Sequence, residues 1–106
     1  MKRVETIKDQ KVFNDVIKNG KFKKNDFFVI YNKEREDENI YYGIAISNKV
    51  GKAVTRNKLK RQVRFIIDKN RNLFKKKNNY IIMIRKSCPN VDYQKLNQAL
   101  VSLLEK

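Results

Sequence analysis

Between Gln10 and Asn19 the apolar residues Val12, Phe13, Val16 and Ile17 recur at intervals that a turn of about 3.6 residues gathers into one stripe. Asp9 stands where such a helix needs an N-cap acceptor, and Gly20 where a left-handed residue would stop it. The period then changes. DFFVIY, Asp26–Tyr31, is a β-branched and aromatic run, and IYYGIAIS, Ile40–Ser47, is another. The charged stretch Asn32–Asn39 between them reads as a turn, so the two runs are expected to pair as an antiparallel hairpin. KFK, Lys21–Lys23, is a candidate short edge strand whose lysines discourage unwanted pairing. Asn48–Val54 reads as a loop, and Thr55 is the expected N-cap of a helix reaching about Asn70. At about 100° per residue, Leu59, Val63, Ile66 and Ile67 fall in one arc of that helix, while Asn57, Lys58, Lys60, Arg61 and Arg64 spread over the opposite side. Phe65 shares the charged side, free to stack on a base or to fold down onto the sheet, with packing the expected outcome. NYIIMIR, Asn79–Arg85, predicts the last strand, and SCPN ends it. Asp92 then caps a helix striped by Leu96, Ala99, Leu100, Leu103 and Leu104.

The predicted order is αβββαβα, an α+β sandwich with helices packed on a small mixed four-stranded sheet. The helix between the strands at Ile40 and Asn79 makes them a candidate parallel crossover, which base rates make right-handed. No repeat or linker interrupts residues 1–106, so one domain is the economical reading.

Charge sharpens the picture. The chain carries 26 Lys+Arg against 11 Asp+Glu, a formal charge of +15, which favours a polyanion: nucleic acid first, a membrane surface second. A/T-rich codon usage would supply lysines, but it would not place them. No acid occurs from Asn39 to Ile67, while four crowd into EREDE, Glu34–Glu38. Of seven arginines, Arg56, Arg61 and Arg64 lie within GKAVTRNKLKRQVR, Gly51–Arg64, and forked guanidinium donors suit phosphates and base edges. The longest apolar runs are too short to span a bilayer, and MKRVETIKDQKVF lacks a signal-peptide core. A single cysteine, Cys88, fits a structural role in a reducing cytoplasm.

The same inventory removes most catalysis. With no histidine and one cysteine, the commonest general bases, nucleophile pairs and zinc sites are absent. The acids of Glu34–Glu38, flanked by Lys33 and Arg35, read as a solvated turn rather than a Mg²⁺ site. Neither a protein-borne active site nor a small-molecule substrate is expected. Alternation along the first long strand puts Phe27, Val29 and Tyr31 on one face and Phe28 and Ile30 on the other, the core face. Rings presented beside Phe13 could stack single-stranded bases.

The stretch SNKVGKAVTRNKLKRQVR, Ser47–Arg64, resembles the signature of the bacterial ribonuclease P protein family, G-x-A-V-x-R-N-R-x-K-R-x-x-R, with Lys58 in place of the second arginine of its R-N-R. The likeness extends over nearly the whole chain. It implies a protein that joins a catalytic RNA, the RNA cleaving the 5′ leader from precursor tRNA with Mg²⁺ held mainly by itself. It further implies contacts to that RNA from Asn48, Lys49, Lys52, Arg56, Asn57, Lys58, Lys60, Arg61 and Arg64. The leader would lie in a cleft formed by Phe13, Ile17, Phe27 and Tyr31, with Arg85 and Lys86 near its mouth. Ile17 stands where an aromatic is common in the family. The resemblance also implies a left-handed βαβ crossover, against the base rate. The rival reading is a noncatalytic basic RNA-binding module, such as a small ribosomal or assembly protein. An apolar, single-strand-sized groove beside Phe13 and Tyr31 would separate the two.

Overall fold

YIIMI is apolar at consecutive positions, the pattern of a strand buried on both faces, and the fold uses it so. In the computed structural model, which describes residues 6–88 and 91–105, the strand Asn78–Ile84 lies inside a four-stranded sheet. Numbered along the chain, the elements are α1 (Gln10–Asn19), β1 (Lys21–Lys24), β2 (Phe28–Glu34), β3 (Ile40–Ile46), α2 (Ala53–Lys69), β4 (Asn78–Ile84) and α3 (Tyr93–Leu104), with 3₁₀ turns at Asn48–Val50 and Arg71–Leu73. The sheet order is β1-β2-β4-β3.

That order corrects the expected hairpin. β2 and β3 do not pair; β4 enters between them, antiparallel to β2 with Ile30 opposite Ile82, and parallel to β3 with Ile44 opposite Ile82. The antiparallel neighbour of β2 along the chain is instead β1, with Phe22 opposite Tyr31. The expected turn Asn32–Asn39 is shorter than its charge suggests: Asn32, Lys33 and Glu34 continue β2, paired with Tyr80, Asn79 and Asn78, and residues 35–39 cross the end of the sheet past β4 instead of closing a hairpin. The parallel pairing of β3 and β4 through α2 is the expected crossover. Pro89 and Asn90 of SCPN lie outside the described residues.

Alternation divides the sheet. Phe28, Ile30, Tyr42, Ile82 and Ile84 are buried on one face against Leu59, Val63, Ile66 and Ile67 of α2 and Leu96, Leu100 and Leu103 of α3. On the other face α1 packs Val16 over the sheet, where Ile81 is fully buried and the Phe13 ring lies against Gly43. The predicted stripes of all three helices are therefore the packed ones. Asp9 and Asp92 cap α1 and α3, accepting from Lys11 N at 2.9 Å and Lys95 N at 2.8 Å.

Two predicted caps differ. α2 begins at Ala53, so Thr55 lies inside its first turn and the cap position falls to Lys52, whose side chain makes no capping hydrogen bond. Gly20 is not left-handed: its φ is −82° and ψ 171°. Its missing side chain answers a different need, because a β-carbon there would sit 2.4 Å from Val16 O and 2.6 Å from Asn32 O. The end of α1 is thus pressed against β2. Lys33 reinforces the junction with an ion pair to Asp15, and hydrogen bonds from Lys33 and Asn19 hold the Asp15 carboxyl below its ordinary pKa.

Candidate nucleic-acid interface

β3 ends at Ile46, directly opposite Ile84, the last residue of β4. The basic loop and Arg85 consequently leave the sheet at the same end. Ser47 caps the 3₁₀ turn, its hydroxyl accepting from Lys49 N at 3.2 Å, and Val50 plugs the loop into the core. Gly51 then adopts φ 158° and ψ −167°, a region essentially restricted to glycine. The Arg56 guanidinium reaches back from α2 to donate to Asn48 Oδ1, tying the loop to the helix. Asn48 and Arg56, read separately from the sequence, are therefore one unit, and Arg56 Nε is buried behind it with no hydrogen-bond partner among the described residues.

Along α2, Asn57, Lys58, Arg61 and Arg64 are exposed and Lys60 is half-buried, opposite the buried Leu59 and Val63. Lys49 and Lys52 are exposed on the loop. None of these cations pairs with a carboxylate among the described residues. The first turn of α2 holds no acid either, so the positive end of the helix dipole adds to the field. Phe65 departs from its expected packing on the sheet: it is 61% exposed and makes an edge-type ring contact with Tyr93 on α3, with centroids 5.7 Å apart.

On the α1 side of the sheet lies an open groove of about 500 Å³. Ile17 and Gly20 form one wall, Phe22 and Tyr31 stand together with ring centroids 6.1 Å apart, Val29 and Met83 make the floor, and Lys18, Lys24 and Arg85 supply charge. The Arg85 guanidinium donates to Asn25 O at 2.8 Å, which fixes it at the mouth. Asn25 is itself anchored: its side chain accepts from Phe27 N and Phe28 N, both at 2.9 Å, and donates to Ala99 O on α3 at 3.0 Å.

Of the residues assigned to the cleft, the structure brings Ile17, Tyr31 and Arg85 together. Phe13 lies beside the groove, over Gly43. Phe27 precedes β2 and turns to the opposite face, packed on the core with Lys95 Nζ 5.8 Å from its ring centroid. Lys86 is exposed in the turn beyond β4 and does not line the groove. Sequence reasoning missed Phe22, Lys24 and Met83, although the alternation of KFKK on an edge strand carried a signal for the first two.

The acidic turn holds Arg35, which donates to both Asp37 carboxylate oxygens at 2.9 and 2.8 Å and to Asn79 Oδ1 at 2.8 Å, with its guanidinium 4.0 Å from the Tyr41 ring centroid. The Arg35 contact holds the Asp37 carboxyl down at about 2. Among the described residues no group of three or more His, Cys, Asp or Glu could hold a metal ion, and no helix is long and apolar enough to cross a membrane.

The sequence matches the Ribonuclease P family model over residues 1–106. The chain belongs to the ribonuclease P protein family. The ribonuclease P protein component of Mycoplasma capricolum is 37% identical over 107 aligned positions that cover 100% of this chain and 98% of that protein. The one from Streptococcus pyogenes serotype M5 is 34% identical over 99% of this chain and 87% of its own. Among solved structures, the RNase P protein from Thermotoga maritima superposes with a TM-score of 0.86 at 30% identity, covering 95% of this chain and 96% of that one. That from Staphylococcus aureus gives 0.88 at 26% identity, covering 95% and 93%. This ribonuclease P protein is thus the protein subunit of a tRNA-processing endoribonuclease, with ribonuclease P RNA the partner implied by the family.

Proposed function

We propose that the whole chain acts as one RNA-binding domain with two surfaces. The first is the loop and exposed face of α2, where Asn48, Lys49, Lys52, Arg56, Asn57, Lys58, Lys60, Arg61 and Arg64 contact ribonuclease P RNA. The second is the α1-side groove, where Ile17, Phe22, Tyr31 and Arg85 receive the 5′ leader of precursor tRNA. Cations neutralise phosphates along both, and the Phe22 and Tyr31 rings offer faces on which single-stranded bases stack. The observation that carries this reading is the shared exit of the basic loop and Arg85 from one end of the sheet, opposite each other at Ile46 and Ile84. A strand held in the groove is thereby kept beside RNA held on α2.

Phosphodiester hydrolysis needs a metal-activated nucleophile or a general base, and the described residues fit neither. Glu34, Glu36 and Glu38 are exposed, and Asp37 is engaged by Arg35. Mg²⁺ is accordingly assigned to the RNA subunit, and the protein positions substrate. In this reading it works in the cytoplasm, where a reduced Cys88 is the expected state. Reconstitution tests the division of labour. The chain alone should leave precursor tRNA intact, yet raise its cleavage by a bacterial ribonuclease P RNA at limiting Mg²⁺. Robust metal-dependent cleavage by RNA-free protein would contradict it.

A further inference from the structure

Successive side chains of β1 turn to opposite faces of the sheet. Phe22 and Lys24 line the α1-side groove. Lys21 and Lys23, opposite Asn32 and Ile30, line a second groove of about 330 Å³ on the other face, between β1, the segment before β4 and the end of α3. Its floor is apolar, built on Ile30 and Leu103, and Lys75 joins the two β1 lysines; among the described residues no acid lines it. Tyr80 Oη accepts from Lys75 N at 2.9 Å and so fixes the backbone that carries that side chain. Lys21 and Lys75 are exposed, and neither ammonium pairs with a carboxylate among the described residues. Phe22, 60% exposed, lines both grooves, so the two surfaces meet over the free edge of β1.

An unpaired edge could in principle accept a peptide strand. Lysines at three of the four β1 positions are the side chains that discourage such pairing, and the same lysines attract a polyanion. We propose that a single RNA strand leaving the α1-side groove passes over Phe22 at the β1 edge and lays its phosphates against Lys21 and Lys75 in the second groove. This rests on the leader reading above and extends it: the protein would grip more of a long leader than one groove can hold.

The test uses reconstituted holoenzyme with precursor tRNAs carrying short or long single-stranded leaders, binding being measured across a salt series at fixed Mg²⁺. The Lys21→Ala/Lys75→Ala protein should bind the short-leader precursor as wild type does. With the long leader, two lost phosphate contacts at about 0.7 each should lower the salt slope by about 1.4. The affinity loss between about 50 and 200 mM salt would then shrink roughly sevenfold. Tyr31→Ala should weaken both precursors. A double variant whose salt slope changes equally for the two leaders, or for neither, overturns the second groove while leaving the leader reading intact. Failure of Tyr31→Ala to distinguish leader-bearing from leaderless RNA removes the leader reading, and the extension with it. A photocrosslinker at position 75 gives an independent readout. Crosslinks to distal leader nucleotides support the path, whereas crosslinks to the catalytic RNA or to an acidic peptide competitor alone overturn it.

Discussion

Replacing Gly20 with alanine should destabilise the protein and damage leader binding together. The new methyl would lie 2.4 Å from Val16 O and 2.6 Å from Asn32 O. To reach even 3.0 Å the backbone must give by about 0.6 Å on one side and 0.4 Å on the other, and both neighbours are main-chain atoms of packed elements. Overpacking of this kind costs about 1–3 kcal/mol. Moving the segment also strains the Gly20 N–H bond to Val16 O, now 2.9 Å long, whose net worth is about 1 kcal/mol. Against this, alanine restricts the unfolded chain and returns about 0.4–1 kcal/mol. The net loss is about 1–3 kcal/mol, a fall in Tm of roughly 5–20 °C for a chain of this size. Thermal melting followed by circular dichroism measures it. Because Gly20 lines the groove between Ile17 and Phe22, a variant still folded at low temperature should lose affinity for leader-bearing precursor more than for mature tRNA. Wild-type melting would refute the close approach of α1 to β2.

Replacing Arg61 and Arg64 together with alanine should weaken binding of ribonuclease P RNA while shifting stability by no more than about 0.5 kcal/mol per site, whereas Leu59→Ala, at a buried position, should cost about 2–5 kcal/mol. A large drop in melting temperature of the double arginine variant would contradict the helix facing. Burial pushes the Cys88 thiol up from an ordinary 9.0 to about 11, so at pH 8 roughly a thousandth of it is thiolate, against about a tenth of an unperturbed thiol. Native protein, with Cys88 also fully buried, should therefore react with a thiol reagent at least about a hundredfold more slowly than unfolded protein. The folded pKa lies above the unfolded one, so this group's stabilising contribution is complete below about pH 9 and declines as pH rises towards 11.

What the sequence revealed follows the range of the forces involved. Helix stripes and the caps Asp9 and Asp92 depend on neighbours a few residues away, and they read directly. Strand partners depend on distant chain. β2 alternates and β3 follows it closely, so the local pattern predicts a hairpin, yet the unbroken apolarity of YIIMI suits a strand covered on both faces, and β4 takes the place between them. Gly20 reads as a helix stop from its position alone, whereas a side chain there is excluded both by Val16 O four residues back and by Asn32 O twelve residues on, and the second lies beyond the reach of a local pattern. The charged face of α2 was legible because it is a single helix. The groove was only partly so, since it draws on α1, β1, β2 and β4 at once. Phe27 escapes the alternation because β2 begins at Phe28, two residues after the expected Asp26, and its ring lies on the α3 side.

The central claim is that the α1-side groove reads the leader, as distinct from general attraction of RNA by charge. It is tested most directly by the affinity of reconstituted holoenzyme for leader-bearing precursor and for mature tRNA, wild type against Tyr31→Ala, with RNA subunit, Mg²⁺ and salt fixed. If a base stacks on Tyr31, the substitution should cost about 1–3 kcal/mol with the precursor and leave mature tRNA unaffected. Equal losses on both substrates would contradict the account.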